Sequence, residues 1–427
     1  MMDQELIISI VNEVLRHLAL KNDGTLIATF AENYVQEKGN QLFEINRQKK
    51  GRDGSKMKKI LVLNFGSTSS KISIFQDEVE VNKTSIAHNT ATLNQFKSVI
   101  DQRDFRKKAV LEWLESINES IMSFDAIAPR GGNVHPIASG TYQVNQDMVD
   151  DLESGQYGVH ASALASIIGY ELFKAYGIPA YTTDPIVVDE KIPEARLSGN
   201  RILKRTSNMH VLNHKATARI AALQIGKPYE ECNFVVAHMG GGITIGAHYN
   251  GKIIDANNGF DSDGPFSPER SGSLPVGDLV RLCFSGQYDQ LQILRMINGE
   301  GGMKSYLGEV DVRIIEDRID KGDKEAILAY DAMAYQVAKE IGAYSVVSQE
   351  KLDAIVLTGG LAYSEKFTSK IISYMGFLAP VLIFPGENEA LALAKGALRV
   401  LNKEINTRIY IKENQEDTLW PIIESER

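Results

Sequence analysis

Two arginines, two closely spaced histidines and two carboxylates stand beside turns in this chain. Arg130 follows an apolar run, Asp125-Ala126-Ile127-Ala128, and precedes Gly131-Gly132. A guanidinium in that position can hold a carboxylate through two parallel hydrogen bonds; the plain alternative is a surface arginine in a turn. Arg270 lies in the turn-rich loop Ser267-Pro268-Glu269-Arg270-Ser271-Gly272-Ser273, where the alternative is an ion pair with Glu269 or Asp263. His210 and His214 have the i, i+4 spacing of one helical face. Val211 stands where a zinc H-E-x-x-H motif needs glutamate, so that motif is incomplete. Asp184 follows Tyr181-Thr182-Thr183 and precedes Pro185. An exposed strand-end carboxylate of this kind suits magnesium coordination through water, or is simply solvated. Glu389 opens an apolar helix over about 390–401, where an acid also satisfies the helix dipole; Glu387 is a competing carboxylate.

The elements that must position these groups are strands joined by small-residue turns. Lys59-Ile60-Leu61-Val62-Leu63 is an apolar strand, and Ile72-Ser73-Ile74-Phe75 alternates as a half-buried strand does. Between them Asn64-Phe65-Gly66-Ser67-Thr68-Ser69-Ser70-Lys71 reads as a hairpin turn. Its small side chains let an anion approach backbone N–H groups, with hydroxyls and the Lys71 ammonium as further donors; an ordinary polar hairpin is the alternative. The pattern recurs. Asn233 to Ala237 enters His238-Met239-Gly240-Gly241-Gly242 and leaves as Ile243 to His248, and Asn250-Gly251 signals a type I′ turn into Lys252-Ile253-Ile254-Asp255. Two such hairpins about 170 residues apart predict an internal duplication. Three successive glycines mark close approach by a ligand to the backbone. A third turn, Thr358-Gly359-Gly360-Leu361, joins the strand 352–357 to a helix from about Ser364 to Met375. Neither a Walker A pattern nor a G-x-G-x-x-G fingerprint is present, which excludes the P-loop and Rossmann readings.

In combination, the turns at Asn64–Lys71, His238–Gly242 and Thr358–Gly360 resemble the two phosphate motifs and the adenosine motif of the acetate and sugar kinase, Hsc70 and actin superfamily. Arg130-Gly131-Gly132, Gly140-Thr141-Tyr142, Gly158-Val159-His160, Asp184-Pro185, His210 to His214 and Pro268 to Gly272 extend the resemblance to the acetokinase family, and within it to the butyrate kinases. It covers residues 57 to 405. The residues flanking Arg130, Ala128-Pro129 and Asn133-Val134-His135-Pro136, are less typical of the family near the substrate.

The resemblance implies an α/β fold of two duplicated, ribonuclease-H-like and actin-like domains around a nucleotide cleft. It implies reversible phosphoryl transfer between ATP and butyrate, or a related short or branched carboxylate, giving an acyl phosphate and ADP, with Mg2+ as cofactor. A carboxylate is already ionised at pH 7, so no general base is needed. The task is electrostatic, because one anion must approach another. By resemblance Arg130 orients the acyl substrate, Arg270 contacts the transferring phosphoryl and His210 hydrogen-bonds it, while Asp184 is catalytic. Asn64, Asp184 and Glu389 hold magnesium. Gly66, Ser67, Ser69, Lys71, His238, Gly240, Gly241 and Gly242 serve the phosphates, and Gly359 and Gly360 the nucleotide. His214 supports structure. His160, with Val159 and Met209, borders the acyl chain; His160 read by itself is equally a satisfied structural histidine. An acetate or propionate kinase, or a non-catalytic actin-like nucleotide binder, are the rival readings.

The totals fit this picture. Of 427 residues, 43% are hydrophobic and 24% charged, which suits a two-domain globular chain. A net charge of −9 argues against a nucleic-acid partner. Cys232 and Cys283, far apart, indicate neither a disulfide framework nor a thiolate metal site, so a cytoplasmic setting is expected. No apolar run is long enough for a membrane helix. The expected organisation is an extension over 1–56, domains over 57–205 and 206–389, a helix over 390–402 that packs back across them, and a charged tail over 403–427 with an apolar patch at 419–423. Residues 3–18 read as an amphipathic helix followed by a linker. That arrangement resembles the encapsulation peptides of bacterial microcompartments, which makes a shell contact one expected partnership. A homodimer or larger assembly is the other.

Overall fold

The computed structural model describes residues 57–412, apart from Lys204, Ser207, Asp261 and Ser262. The amphipathic helix expected over 3–18, its linker and the apolar patch at 419–423 lie outside the described residues.

Two sheets with the same winding organise the chain. In the first half β1 (Lys59–Phe65), β2 (Ser69–Gln76) and β3 (Val79–Ala87) form an antiparallel meander, and β4 (Ala126–Pro129) lies parallel to β1. A parallel bridge from Ile127 to Ala180 leads on to the small sheet of β5 (Thr141–Gln143) and β6 (Tyr181–Thr183). In the second half β7 (Asn233–Met239), β8 (Ile243–Tyr249) and β9 (Lys252–Ala256) make the same meander. Here β10 (Ala354–Gly359) lies parallel to β7, and β11 (Val381–Pro385) parallel to β10. The orders β3-β2-β1-β4 and β9-β8-β7-β10 are therefore equivalent, and the expected duplicated two-domain α/β fold is what the chain adopts. The turn between β8 and β9 has positive φ at both Asn250 (50°) and Gly251 (77°), the type I′ geometry.

Each sheet is buried on both faces. Helices Arg103–Ser116, Gln146–Ser154 and Ala163–Tyr176 cover one face of the first, around Leu61, Leu63, Ile72, Val110 and Ile168. Its other face, with Ile60, Val62 and Ala128, receives Leu393, Ala394 and Ala397 of the helix Glu389–Leu401, together with Leu212. Leu212 opens the helix Val211–Ile225. Further along, Ala218, Ala221 and Ala222 of that helix pack on Phe234, Val236 and Val356 of the second sheet. One helix thus belongs to both cores. Helices Lys324–Tyr344 and Glu365–Met375 cover the remaining face of the second sheet.

The expected charged tail is in part structured. β12 (Arg408–Ile409) pairs in parallel with β5. Tyr410 is buried, donates its hydroxyl to Asp151 Oδ2 at 2.6 Å and stacks on His135. An apolar ring that finds an acceptor inside the first half outweighs the charges around it. Among the described residues no helix is long and apolar enough to cross a membrane.

Candidate active site

β1 delivers Asn64 to the sheet end, and the chain turns at Gly66, whose N–H donates to Ser69 O at 2.9 Å. The turn is held from behind by Arg106, which the sequence reading missed. Its Nη1 donates to Gly66 O (2.9 Å) and Ser69 O (3.1 Å), its Nη2 to Ser67 O (2.8 Å), and its Nε to Gln102 Oε1 (3.1 Å). Arg106 is fully buried, and among the described residues no carboxylate pairs with it. Burial lowers its pKa to about 10, so it stays charged at neutral pH. A buried cation balanced only by neutral carbonyls makes the turn above it attractive to anions. Ser67 is exposed and Ser69 half-buried on that turn, and Lys71, opposite Asn64 across the hairpin, is exposed.

Asn64 is joined to a residue far along the chain. Its Nδ2 donates to Glu389 Oε2 at 2.9 Å, and Arg130 Nη1 reaches the same oxygen at 3.1 Å and Asn64 Oδ1 at 3.3 Å. Asn64, Arg130 and Glu389 therefore form one polar group, although 325 positions separate Asn64 from Glu389. Glu389 is the first residue of its helix, after Asn388.

The second hairpin carries a matching arrangement. Gly240 N–H donates to Gly242 O at 3.0 Å, and Ser267 Oγ donates to Gly241 O at 2.6 Å. A Cβ on Gly242 would collide with the Arg270 guanidinium, and one on Gly241 would come within 3.1 Å of Glu269 Oε1. Side chains are excluded here because Arg270 lies against the turn. Its Nη1 donates to Gly259 O at 2.5 Å, its guanidinium sits 5.6 Å from the Phe260 ring centre, and its Nε is buried without a partner among the described residues.

Gly359 ends β10 at a φ of 90°, and a side chain there would strike the Met239 carbonyl. It exchanges hydrogen bonds with Gly386 at 3.2 and 2.9 Å, which fixes the loop that carries Glu387 and Glu389. Gly360 faces open space. Glu387 Oε1 lies 3.1 Å from His238 Nε2, a charge contact off the hydrogen-bond line. The His238 contact, with Arg130 and Lys71 nearby, holds the Glu387 carboxyl below its usual range. Both competing carboxylates thus face the region between the two hairpins.

His210 caps the helix Val211–Ile225, stacks on His238 with ring centres 3.9 Å apart, and bonds Thr244 Oγ1 at 3.0 Å through Nδ1. Burial first, then His238, His214, Arg270 and Arg130, push its pKa well below the ordinary value, so the ring is neutral. His210 lies in the fields of both arginines, one from each half of the chain. His214 is buried behind it, its pKa pushed down to about 3 by burial. His160 is on the surface and bonds Ser162 Oγ at 2.9 Å. Desolvation and the charges of Arg130 and Arg106 lower its pKa. Val159 beside it is 50% exposed, whereas Met209 is packed in the first core.

Asp184 corrects an expectation. It is 1% exposed, not a solvated strand end. Ser139 Oγ donates to it at 2.6 Å and Gly140 N–H at 2.9 Å, and Arg219 pairs with it at 3.4 Å. None of its contacts is with Asn64, Arg130 or Glu389. Burial alone would raise its pKa, but Arg219, Lys215 and Ser139 outweigh that and the net shift is downward. A carboxylate of this type is stable inside only because its charge is paired.

No group of three or more His, Cys, Asp or Glu side chains able to hold a metal occurs among the described residues. Glu389 Oε1 accepts no hydrogen bond from a described residue, and Asn64 contributes an amide beside it. One carboxylate with an amide suits Mg2+, which takes its remaining donors from phosphate and water.

Comparison with known proteins agrees with this fold. Acetate kinase from Porphyromonas gingivalis superposes with a TM-score of 0.67 at 20% identity, covering 81% of this chain and all of the other. A propionate kinase from Francisella tularensis gives 0.63 at 21% identity over 80% of this chain and 99% of that one. Acetate kinase from Entamoeba histolytica gives 0.64 at 16%, over 79% and 98%. Residues 197–405, which hold His210, both glycine turns of the second half, Arg270 and Glu389, match the acetokinase family on a fold shared with acetate and propionate kinases.

Proposed function

We propose that this protein is a carboxylate kinase that transfers the γ-phosphoryl of ATP in line to a short fatty acid, giving an acyl phosphate and ADP, and runs the reverse reaction. One observation carries the reading. Arg270, with no carboxylate partner among the described residues and a buried Nε left unbonded, lies against the second glycine turn, and its field and that of Arg130 meet at His210. A nucleotide-driven binding protein of the actin type has no use for two cations beside a phosphate site.

In this reading the hairpin turns at Gly66–Lys71 and Gly240–Gly242 take the phosphates through backbone N–H groups, with Arg106 supplying charge from beneath. Gly359 and Gly360 admit the adenosine, since a flat group fits against bare backbone. Arg130 orients the carboxylate, next to His160 and Val159. Arg270 and neutral His210 donate to the oxygens of the transferring phosphoryl, where negative charge must be stabilised. Asn64 and Glu389 would hold Mg2+, which screens the phosphate charges when bound. Asp184 fixes the strand end through Ser139, Gly140 and Arg219 and stands outside that shell.

The substrate is proposed to be butyrate or a branched relative, on the motif resemblance given above. One methylene changes binding in an apolar pocket by only about 1–3 kcal/mol, so neighbouring acids overlap as substrates. A homodimer is proposed on the helices Val276–Cys283 and Gln290–Ile297, which expose Val276, Val280, Leu291 and Leu294, with Phe284 exposed just after the first. Residues 3–18 are proposed to dock on a microcompartment shell; deletion of 1–56 would leave turnover intact and abolish co-sedimentation with shells. The test of the reaction is ATP with hydroxylamine and a panel from acetate to valerate, ranked by kcat/KM. Hydroxamate formation with a maximum at four carbons supports the reading; a maximum at acetate or propionate replaces the substrate, and no hydroxamate with any acid removes the reaction.

A further inference from the structure

Behind His210 runs an unbroken line of buried polar groups. Thr244 Oγ1 on β8 lies 3.0 Å from His210 Nδ1 and 2.9 Å from His214 Nε2. His214 Nε2 is also 3.2 Å from the Thr244 carbonyl oxygen. On its other side His214 Nδ1 meets His248 Nε2 at 3.2 Å, and His248 Nδ1 meets the Tyr229 hydroxyl at 2.8 Å. Thr244, His214 and His248 are 0% exposed and Tyr229 4%.

The direction of every bond in this line follows from one fixed point. A carbonyl oxygen only accepts, so His214 Nε2 carries a proton. Burial keeps His214 and His248 neutral, so each has one N–H. His214 Nδ1 is then bare and accepts from His248 Nε2–H. His248 Nδ1 is bare in turn and accepts from Tyr229, whose hydroxyl burial keeps protonated. At the other end Thr244 Oγ1 accepts from His214, and among the described residues His210 Nδ1 is the acceptor within reach of the buried hydroxyl's own proton. His210, also neutral, must carry its own proton on Nε2.

The same count applies to His238. Thr358 Oγ1 donates to Gly386 O at 3.2 Å, so it accepts from Asn213 Nδ2 at 3.2 Å. The same amide nitrogen lies 2.8 Å from His238 Nδ1, which leaves the ring proton on Nε2.

We propose that Thr244, backed by His214, His248 and Tyr229, is a positioning residue that fixes His210 as its Nε2–H tautomer and so presents an N–H donor, not a lone pair, to the anionic oxygens of the site. A ring free to exchange its proton between the two nitrogens would at times offer a lone pair to phosphate and repel it. The inference rests on the phosphoryl-binding role proposed for His210.

The test uses the full chain labelled with 15N-histidine, with the His210 signals identified by their loss in His210→Asn. At pH 7.5 the wild type is expected to show a bare Nδ1 and a protonated Nε2 at His210. Thr244→Val keeps the shape and removes the hydroxyl; Thr244→Ser keeps the hydroxyl and removes a methyl. Valine is expected to mix the tautomers and lower kcat by about 10- to 100-fold at little change in either KM, the usual cost of losing a group that orients a functional ring. Serine is expected to retain the tautomer and most of the rate. If packing were the role of Thr244, serine would be the worse of the two. A wild-type His210 protonated on Nδ1, or valine and serine variants alike in tautomer and rate, overturns the inference. The tautomer is read without turnover, so it decides the point even if the valine variant does not fold. Lack of acyl phosphate formation removes the proposed reaction and leaves the tautomer result standing; an inverted tautomer in an active enzyme removes this inference alone.

Discussion

Arg106 Nη2 donates to the carbonyl oxygen of Ser67 at 2.8 Å, from a fully buried position and without a described carboxylate to balance it. The first glycine turn therefore rests on a charge that the protein leaves uncompensated. Arg106→Met would strip the donors from three carbonyls of that turn and from Gln102. A loss of about 1–3 kcal/mol in unfolding free energy is expected, the cost of leaving buried acceptors unsatisfied, with at least about tenfold weaker ATP binding. Urea titration and calorimetric ATP titration check both; unchanged ATP affinity in a folded variant would detach Arg106 from the phosphate site.

Arg270→Ala is expected to lower kcat by about 100- to 1,000-fold with a small change in ATP affinity, the usual cost of one donor to a developing oxyanion. Gly242→Ala should do much of the same by displacing the guanidinium. Because both act on one group, the double variant should be scarcely worse than Arg270→Ala. Full additivity in kcat would separate the glycine from the arginine.

Arg130→Ala should raise KM for the carboxylate by about 10- to 100-fold, the worth of a charge-assisted pair. Its removal also leaves Glu389 with Asn64 alone. Initial rates over a range of acid concentrations decide this, and an unaltered KM takes Arg130 out of the acyl site.

Chelation should abolish turnover and magnesium should restore it. Glu389→Gln should raise the magnesium concentration needed for half-maximal rate by about tenfold, by analogy with lost ligands or their partners. A chelator-resistant rate would remove the metal from the mechanism.

The buried histidines predict acid lability. His214 and His248 are held neutral in the folded protein, His214 down to about pH 3, while in the unfolded chain they take protons near pH 6.5. Above that value neither state binds the proton and nothing is lost. Below it the unfolded chain binds protons that the folded one refuses, so stability falls with pH by about 1.4 kcal/mol per unit for each ring. Unfolding midpoints should drop steeply from pH 6 to 4, and less so in His248→Asn. A flat profile would show that these rings are already charged.

Much of the architecture was legible because the two halves repeat one local device, an apolar strand, a small-residue turn and a second strand. Asn250-Gly251 is chemistry that has few other uses. The support for the site was less legible. Arg106 stands in Arg-Asp-Phe-Arg-Lys-Lys, where three neighbouring cations look the same, and only the folding of a helix some 40 positions away selects it. The i, i+4 spacing of His210 and His214 did bring both to one hydroxyl, but the hydroxyl, Thr244, sits unremarked between two apolar residues of β8. Asp184 reads as exposed from its neighbours because Arg219 and Ser139, which enclose it, come from other parts of the chain.

The helix Glu389–Leu401 covers a face of the sheet that begins at Lys59, so during synthesis that face stays bare until the chain as far as Leu401 has left the ribosome. Ile60, Val62 and Ala128 meanwhile wait beside each other in water, a surface that invites capture by holding chaperones or by other nascent chains. The sheet built on β1 is made early and finished late.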